Sequence, residues 1–124
     1  MTVDSKFAHY NFNVFDLEKS MDFYKKALNF TECNRETADD GSYIIVFLTD
    51  GKTPFNLELT WLRDQDKPYS MGDNEVHLAV TVSGDYEEVF NYHKENGWVC
   101  YENTEMGLYF ICDPDDHWIE VEKE

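Results

Sequence analysis

The chain has 124 residues, enough for one domain with a core of its own. Ten Lys and Arg stand against 26 Asp and Glu, a net charge of −16. That balance excludes a phosphate-binding nucleic-acid partner and an anionic membrane surface, both of which depend on basic patches.

No apolar run approaches the roughly 20 residues of a membrane span. The opening Met1-Thr2-Val3-Asp4-Ser5-Lys6 carries no apolar core of a secretory signal, so a cytoplasmic protein is expected. Cys33, Cys100 and Cys112 form no CxxC pair and suggest no disulfide framework; three reduced thiols are expected.

Residues 7–14 alternate. Ala8, Tyr10, Phe12 and Val14 share one face, and Phe7, His9, Asn11 and Asn13 share the other, which predicts a strand. Asp16 can cap a helix over 17–28, with Leu17, Met21, Tyr24 and Leu28 on its apolar side and Asn29 as its stop. A short strand follows at 30–34, then a turn at 39–42. Further strands are predicted at 43–49 and 56–62, with a turn between them. Residues 63–73 are polar, contain Pro68 and Gly72, and read as a linker.

The pattern then starts again. Residues 75–82 alternate like the first strand, and Ser83-Gly84-Asp85 opens a second helix that stops at Gly97. Strands follow at 98–101, 108–112 and 118–122, with the turn Asp113-Pro114-Asp115-Asp116 before the last. His9 aligns with His77, Val14 with Val82, Tyr24 with Tyr92, and Phe30 with Trp98, at one constant spacing. In the last strand of each half, Glu58 aligns with Glu120 at a shorter spacing, because the second half has lost residues in its turns. The chain is therefore α+β: two βαβββ repeats, at about 7–62 and 74–122, in a single domain.

Strand parity puts His9, Glu58, His77 and Glu120 opposite the apolar, helix-facing stripes. Two such sheets paired about a pseudo-twofold axis would line a cleft with all four. Two imidazoles and two carboxylates suit one divalent transition metal such as Zn, Ni or Co, with water in the open positions. His93 is expected to be solvated on the second helix. His117 has the wrong parity to share the cleft.

The sequence resembles the vicinal oxygen chelate superfamily and, within it, glyoxalase I (lactoylglutathione lyase). The resemblance rests on Ala8-His9 followed by Asp16-Leu17-Glu18-Lys19-Ser20-Met21-Asp22-Phe23-Tyr24, on Leu57-Glu58-Leu59-Thr60, on Val76-His77-Leu78-Ala79-Val80, and on Asp113-Pro114-Asp115-Asp116 ahead of Ile119-Glu120-Val121. It implies half-barrels whose cleft closes in a homodimer, and a lyase that isomerises a methylglyoxal–thiol hemithioacetal to a 2-hydroxyacyl thioester. Glu120 is implied as the catalytic base, with Glu58 as its symmetric partner. Glu58 separates this pattern from three-ligand thiol transferases and dioxygenases, and from epimerases with Gln there. Another metal enzyme of this scaffold, or a metal-free module of the bleomycin-resistance type, remains the alternative.

Three positions depart from the family's glutathione-binding pattern. Asn13 stands where bacterial glyoxalase I has Arg, Leu62 stands where Asn is frequent, and the loop Asn103-Thr104-Glu105-Met106-Gly107 is shortened. Arg63 is the best remaining cation for substrate. Trp118 and Phe7 have the parity of pocket walls, and Trp61 does not.

Overall fold

A computed structural model describes residues 1–124 and divides them into two compact units, Met1–Tyr69 and Ser70–Glu124. The boundary falls in the linker, so each unit holds one βαβββ repeat.

The first unit runs β1 (His9–Asn13), α1 (Leu17–Leu28), β2 (Thr31–Thr37), β3 (Tyr43–Thr49) and β4 (Asn56–Leu62). The sheet order is β1-β4-β3-β2, with β1 parallel to β4 and the other pairs antiparallel. A parallel pair needs a long crossover, which α1 with β2 and β3 supplies. Asp16 caps α1 by accepting a bond from the Lys19 N–H at 3.2 Å, and Asn29 ends it in the left-handed region at φ 57°. The helix buries Leu17, Ser20, Phe23, Tyr24 and Ala27. The buried stripe is thus rotated from the expected one, and Met21 and Leu28 lie at its margin. It packs on Phe12, Val46, Leu48, Leu57 and Leu59, all almost wholly buried.

The second unit repeats the plan with β5 (Leu78–Val82), α2 (Tyr86–Glu95), β6 (Val99–Asn103), β7 (Leu108–Cys112) and β8 (Trp118–Lys123). The order is β5-β8-β7-β6, with β5 parallel to β8. Asp85 caps α2 through the Glu88 N–H. Gly84 and Gly97 flank the helix with positive φ, which a side chain would resist. The core is built on Tyr109, Ile111, Ile119 and Val121.

Two expectations are corrected here. His93 is fully buried, and its Nδ1 lies 2.7 Å from the Tyr109 hydroxyl. Its neighbours in sequence, Tyr92, Lys94 and Glu95, suggested a solvated position, but α2 turns this face onto β7, and the Tyr109 hydroxyl supplies the polar partner that a buried imidazole requires. Cys100 and Cys112 are paired as a disulfide, with Cα atoms 6.0 Å apart, while Cys33 is free and exposed. Their separation in sequence holds no hint of this. The antiparallel register of β6 and β7, with its irregularity between Val99 and Tyr101, brings them together.

Candidate functional site

In each sheet one face is covered by the helix, and the other, here called the open face, is set by strand parity. In the first unit the register aligns Asn11 with Glu58, and Glu58 with Phe47. His9 enters at the start of the edge strand β1, and Glu58 lies on the inner strand β4. The His9 Nε2 lies 3.4 Å from a Glu58 carboxylate oxygen. The His9 ring meets Phe47 at right angles, with centroids 5.9 Å apart.

The second unit repeats this constellation. The His77 Nε2 lies 2.9 Å from a Glu120 carboxylate oxygen, and the His77 ring meets Phe110 at 89° with centroids 5.1 Å apart. Glu120 is aligned with Phe110 just as Glu58 is with Phe47. His77 itself precedes β5 rather than lying within it. The side chains of His9 and His77 are 45% and 41% exposed, and those of Glu58 and Glu120 are 15% and 13% exposed. The imidazoles are accessible, and the carboxylates are held down on the inner strand.

The duplication therefore extends to a third residue, Phe47 and Phe110, that sequence reasoning missed. A signal was present: each stands about one hairpin before its Glu.

These pairs fit a metal. Two cis ligands about 2.1 Å from one ion are separated by about 3 Å, and each His–Glu pair is spaced near that value. Neither pair includes a Lys or Arg. Glu122, two residues past Glu120 on the same face, has its carboxyl pushed up by its hydrogen bond to Glu120 and by that group's charge.

The other expected residues are placed as follows. Asn13 lies on the open face at the end of β1 and accepts a bond from the Asn11 side chain at 2.8 Å. Trp118 lies on the open face of β8, stacked on Tyr101 at 6.0 Å and tilted on Phe110 at 5.2 Å. Phe7 is almost wholly exposed in the segment before β1. Trp61 has helix-side parity. Arg63 is turned to the chain itself: its guanidinium donates to the Asp64 carboxylate at 3.1 and 3.3 Å and to the Asp40 carbonyl at 2.8 Å.

A further group of metal-capable side chains, Asp113, Asp115 and His117, has ligating atoms within 4.8 Å of one another. Its geometry is that of a locked turn. Asp113 accepts from the Asp115 and His117 N–H groups at 2.9 and 2.8 Å, and its second oxygen lies 2.7 Å from the His117 Nδ1. His117 is buried on this turn and, as its parity implied, is not part of the His77–Glu120 pair.

The family model for the Glyoxalase/Bleomycin resistance protein/Dioxygenase superfamily matches residues 6–121. A lactoylglutathione lyase of Neisseria meningitidis serogroup A is 31% identical over 119 residues, 90% of this chain and 86% of that one. The trypanothione-dependent glyoxalase I of Leishmania major superposes with a TM-score of 0.83 at 25% identity, over 98% of this chain and 88% of that one. The fosfomycin resistance protein FosX of Listeria monocytogenes shares the fold at 18% identity and a TM-score of 0.72, over 98% and 93%. With two βαβββ units, a His–Glu pair in each, and a family match over almost its whole length, the chain belongs to the Glyoxalase/Bleomycin resistance protein/Dioxygenase superfamily.

Proposed function

We propose that the chain is a glyoxalase I-like lyase, acting on the hemithioacetal of methylglyoxal and a small thiol. The observation that carries this reading is the duplicated His–Glu pair, His9 with Glu58 and His77 with Glu120, at ligand-like spacing in both units. The named lyase relatives support it.

His9, Glu58, His77 and Glu120 would hold one divalent ion, Ni, Co or Zn, and the two carboxylates match its charge. When bound, the ion would supply electrophilic stabilisation of the charge that builds on the substrate oxygens. The protein's own residues do the rest. Glu120 takes the proton from the carbon that bears sulfur and returns it to the neighbouring carbonyl carbon, as base and then acid. The hydroxyl proton moves to the other oxygen, so a ketone and a hemithioacetal become an alcohol and a thioester, with no atom gained or lost. Glu58 is the symmetric partner. Phe47 and Phe110 hold the imidazoles edge to face, and Trp118 walls the open face of the second sheet.

The two repeats serve as one functional domain. We place His9 and Glu58 of one chain with His77 and Glu120 of its partner in a homodimer, the arrangement that the resemblance to glyoxalase I implies.

The experiment is reconstitution of metal-free protein with Ni, Co or Zn, followed by thioester formation from methylglyoxal with a panel of thiols. Metal-dependent thioester formation that is lost in Glu58→Gln and Glu120→Gln supports the reading. Stoichiometric metal binding without turnover of any thiol adduct refutes it in favour of another metal enzyme of this fold.

A further inference from the structure

The basic residues of the helices and strands avoid the open faces. Lys19, Lys25 and Lys26 lie on α1, and Lys94 lies on α2. Arg35 has the helix-side parity of β2, where it donates to Glu32 at 2.8 and 3.0 Å and reaches the Met21 sulfur at 3.5 Å. Lys123 is aligned with Val82, also on the helix side. Lys6, Lys52, Arg63 and Lys67 lie in segments outside the strands, and Arg63 is held by Asp64 and Asp40. These ten are all the Lys and Arg of the chain. No strand residue on either open face is therefore Lys or Arg.

The open faces do carry carboxyl groups. Glu36 and Glu58 lie on the first, and Glu120 and Glu122 on the second. In the proposed site Glu58 and Glu120 are matched by the metal, which leaves Glu36 and Glu122 without a basic counterpart on their sheets.

The second open face also has an aromatic wall. Trp118 and Tyr101 stack with their planes 21° apart, Phe110 adjoins both, and Tyr101 remains 48% exposed. Recognition of a thiol that carries carboxylates is best served by Arg or Lys, which pair with them through charge-assisted hydrogen bonds. Aromatic faces beside carboxyl groups favour the opposite charge, since the ring quadrupole attracts ammonium groups.

We infer that the thiol served by this site carries a net positive charge, an amine-bearing thiol whose cationic arm lies on the Trp118–Tyr101 wall. This rests on the lyase reading for its chemistry and adds the class of the substrate's carrier.

The test uses one thiol scaffold with its charge varied: S-methylglutathione, its glycyl ethyl ester, and its glycyl amide with diaminopropane. These are net anionic, near neutral and net cationic. None can react, so binding to the full-length, Zn-loaded protein is read by tryptophan fluorescence and calorimetry. Affinity is expected to rise along the series by about tenfold or more, a gain that shrinks with added salt. In Tyr101→Leu the gain is expected to fall by about threefold. Equal or tighter binding of the anionic member overturns the inference. The hemithioacetals of the three unmethylated thiols are assayed in parallel. Turnover that prefers the anionic thiol overturns the inference while the lyase reading stands. The expected binding order with no turnover in any metal form supports the charge selectivity and refutes the lyase reading.

Discussion

Replacing Phe110 by Leu removes the ring against which His77 is set while keeping an apolar side chain of similar bulk. The His77–Phe110 pair is close to an ideal edge-to-face contact, at 5.1 Å and 89°. Such pairs contribute about 0.5–1.5 kcal/mol beyond the area they bury. If that energy holds the imidazole ready for a metal, its loss weakens metal affinity by roughly twofold to tenfold. The matching Phe47→Leu change should cost less, because His9 and Phe47 stand farther apart, at 5.9 Å and 81°. The assay is a competition titration of Co or Zn against a chromophoric chelator, with the melting temperature recorded for each variant. Phe110 also packs on Tyr101 and Trp118, so some loss of stability accompanies its replacement. Tyr101→Leu disturbs the same cluster without touching His77 and serves as the control, with metal affinity retained. Unchanged affinity in Phe110→Leu, or a larger loss in Phe47→Leu, would refute the positioning role.

Chains carrying His9→Ala and chains carrying Glu120→Gln are each expected to be inactive. Mixed and re-equilibrated, they should recover part of the activity if ligands come from both partners; no recovery counts against shared sites. Asp113→Ala removes the acceptor of two backbone N–H groups, one buried and one half-buried, and of the His117 ring, which should cost about 1–3 kcal/mol of stability in chemical denaturation. Metal stoichiometry should not change, because the Asp113–Asp115–His117 turn is a structural lock; loss of the metal with intact folding would overturn that assignment. Burial pushes the Tyr109 hydroxyl well above its ordinary value. A raised value favours the protonated, folded form, so this stability is fully present below about pH 10 and is lost as pH rises through the folded value. Tyr109→Phe should therefore flatten the alkaline limb of a stability–pH curve. An unaltered limb would refute the assignment.

Strand parity is a local property, and it was readable wherever one face is apolar. Tyr10 and Phe12 against His9 and Asn11, or Ile119 and Val121 against Glu120, settle which side chains turn away from the helix before any fold is known. The repeat supplied the rest of the first inference, because two copies of one unit must place equivalent residues equivalently. His9 with Glu58 and His77 with Glu120 came from that logic, and the structure sets each pair at 3.4 and 2.9 Å. Asp16, Asn29 and Asp85 were equally legible, since a cap is decided within one turn of helix.

What the sequence left open depends on register between segments distant along the chain. Phe47 joins Glu58, and Phe110 joins Glu120, only through the β3–β4 and β7–β8 alignments. The Cys100–Cys112 pairing follows from β6 lying beside β7 with an irregularity at that point. His93 looked solvated because its sequence neighbours are polar, yet the orientation of α2 turns it inward to the Tyr109 hydroxyl. Arg63 had the charge to serve as a substrate contact, but the ends of β3 and β4 bring Asp40 and Asp64 to its guanidinium. Apart from Asp64, which is next to Arg63 in the chain, the deciding neighbours are distant in sequence, and tertiary packing chose them: strand register sets which side chains meet, and a buried polar group such as His93 must find a partner wherever the fold provides one.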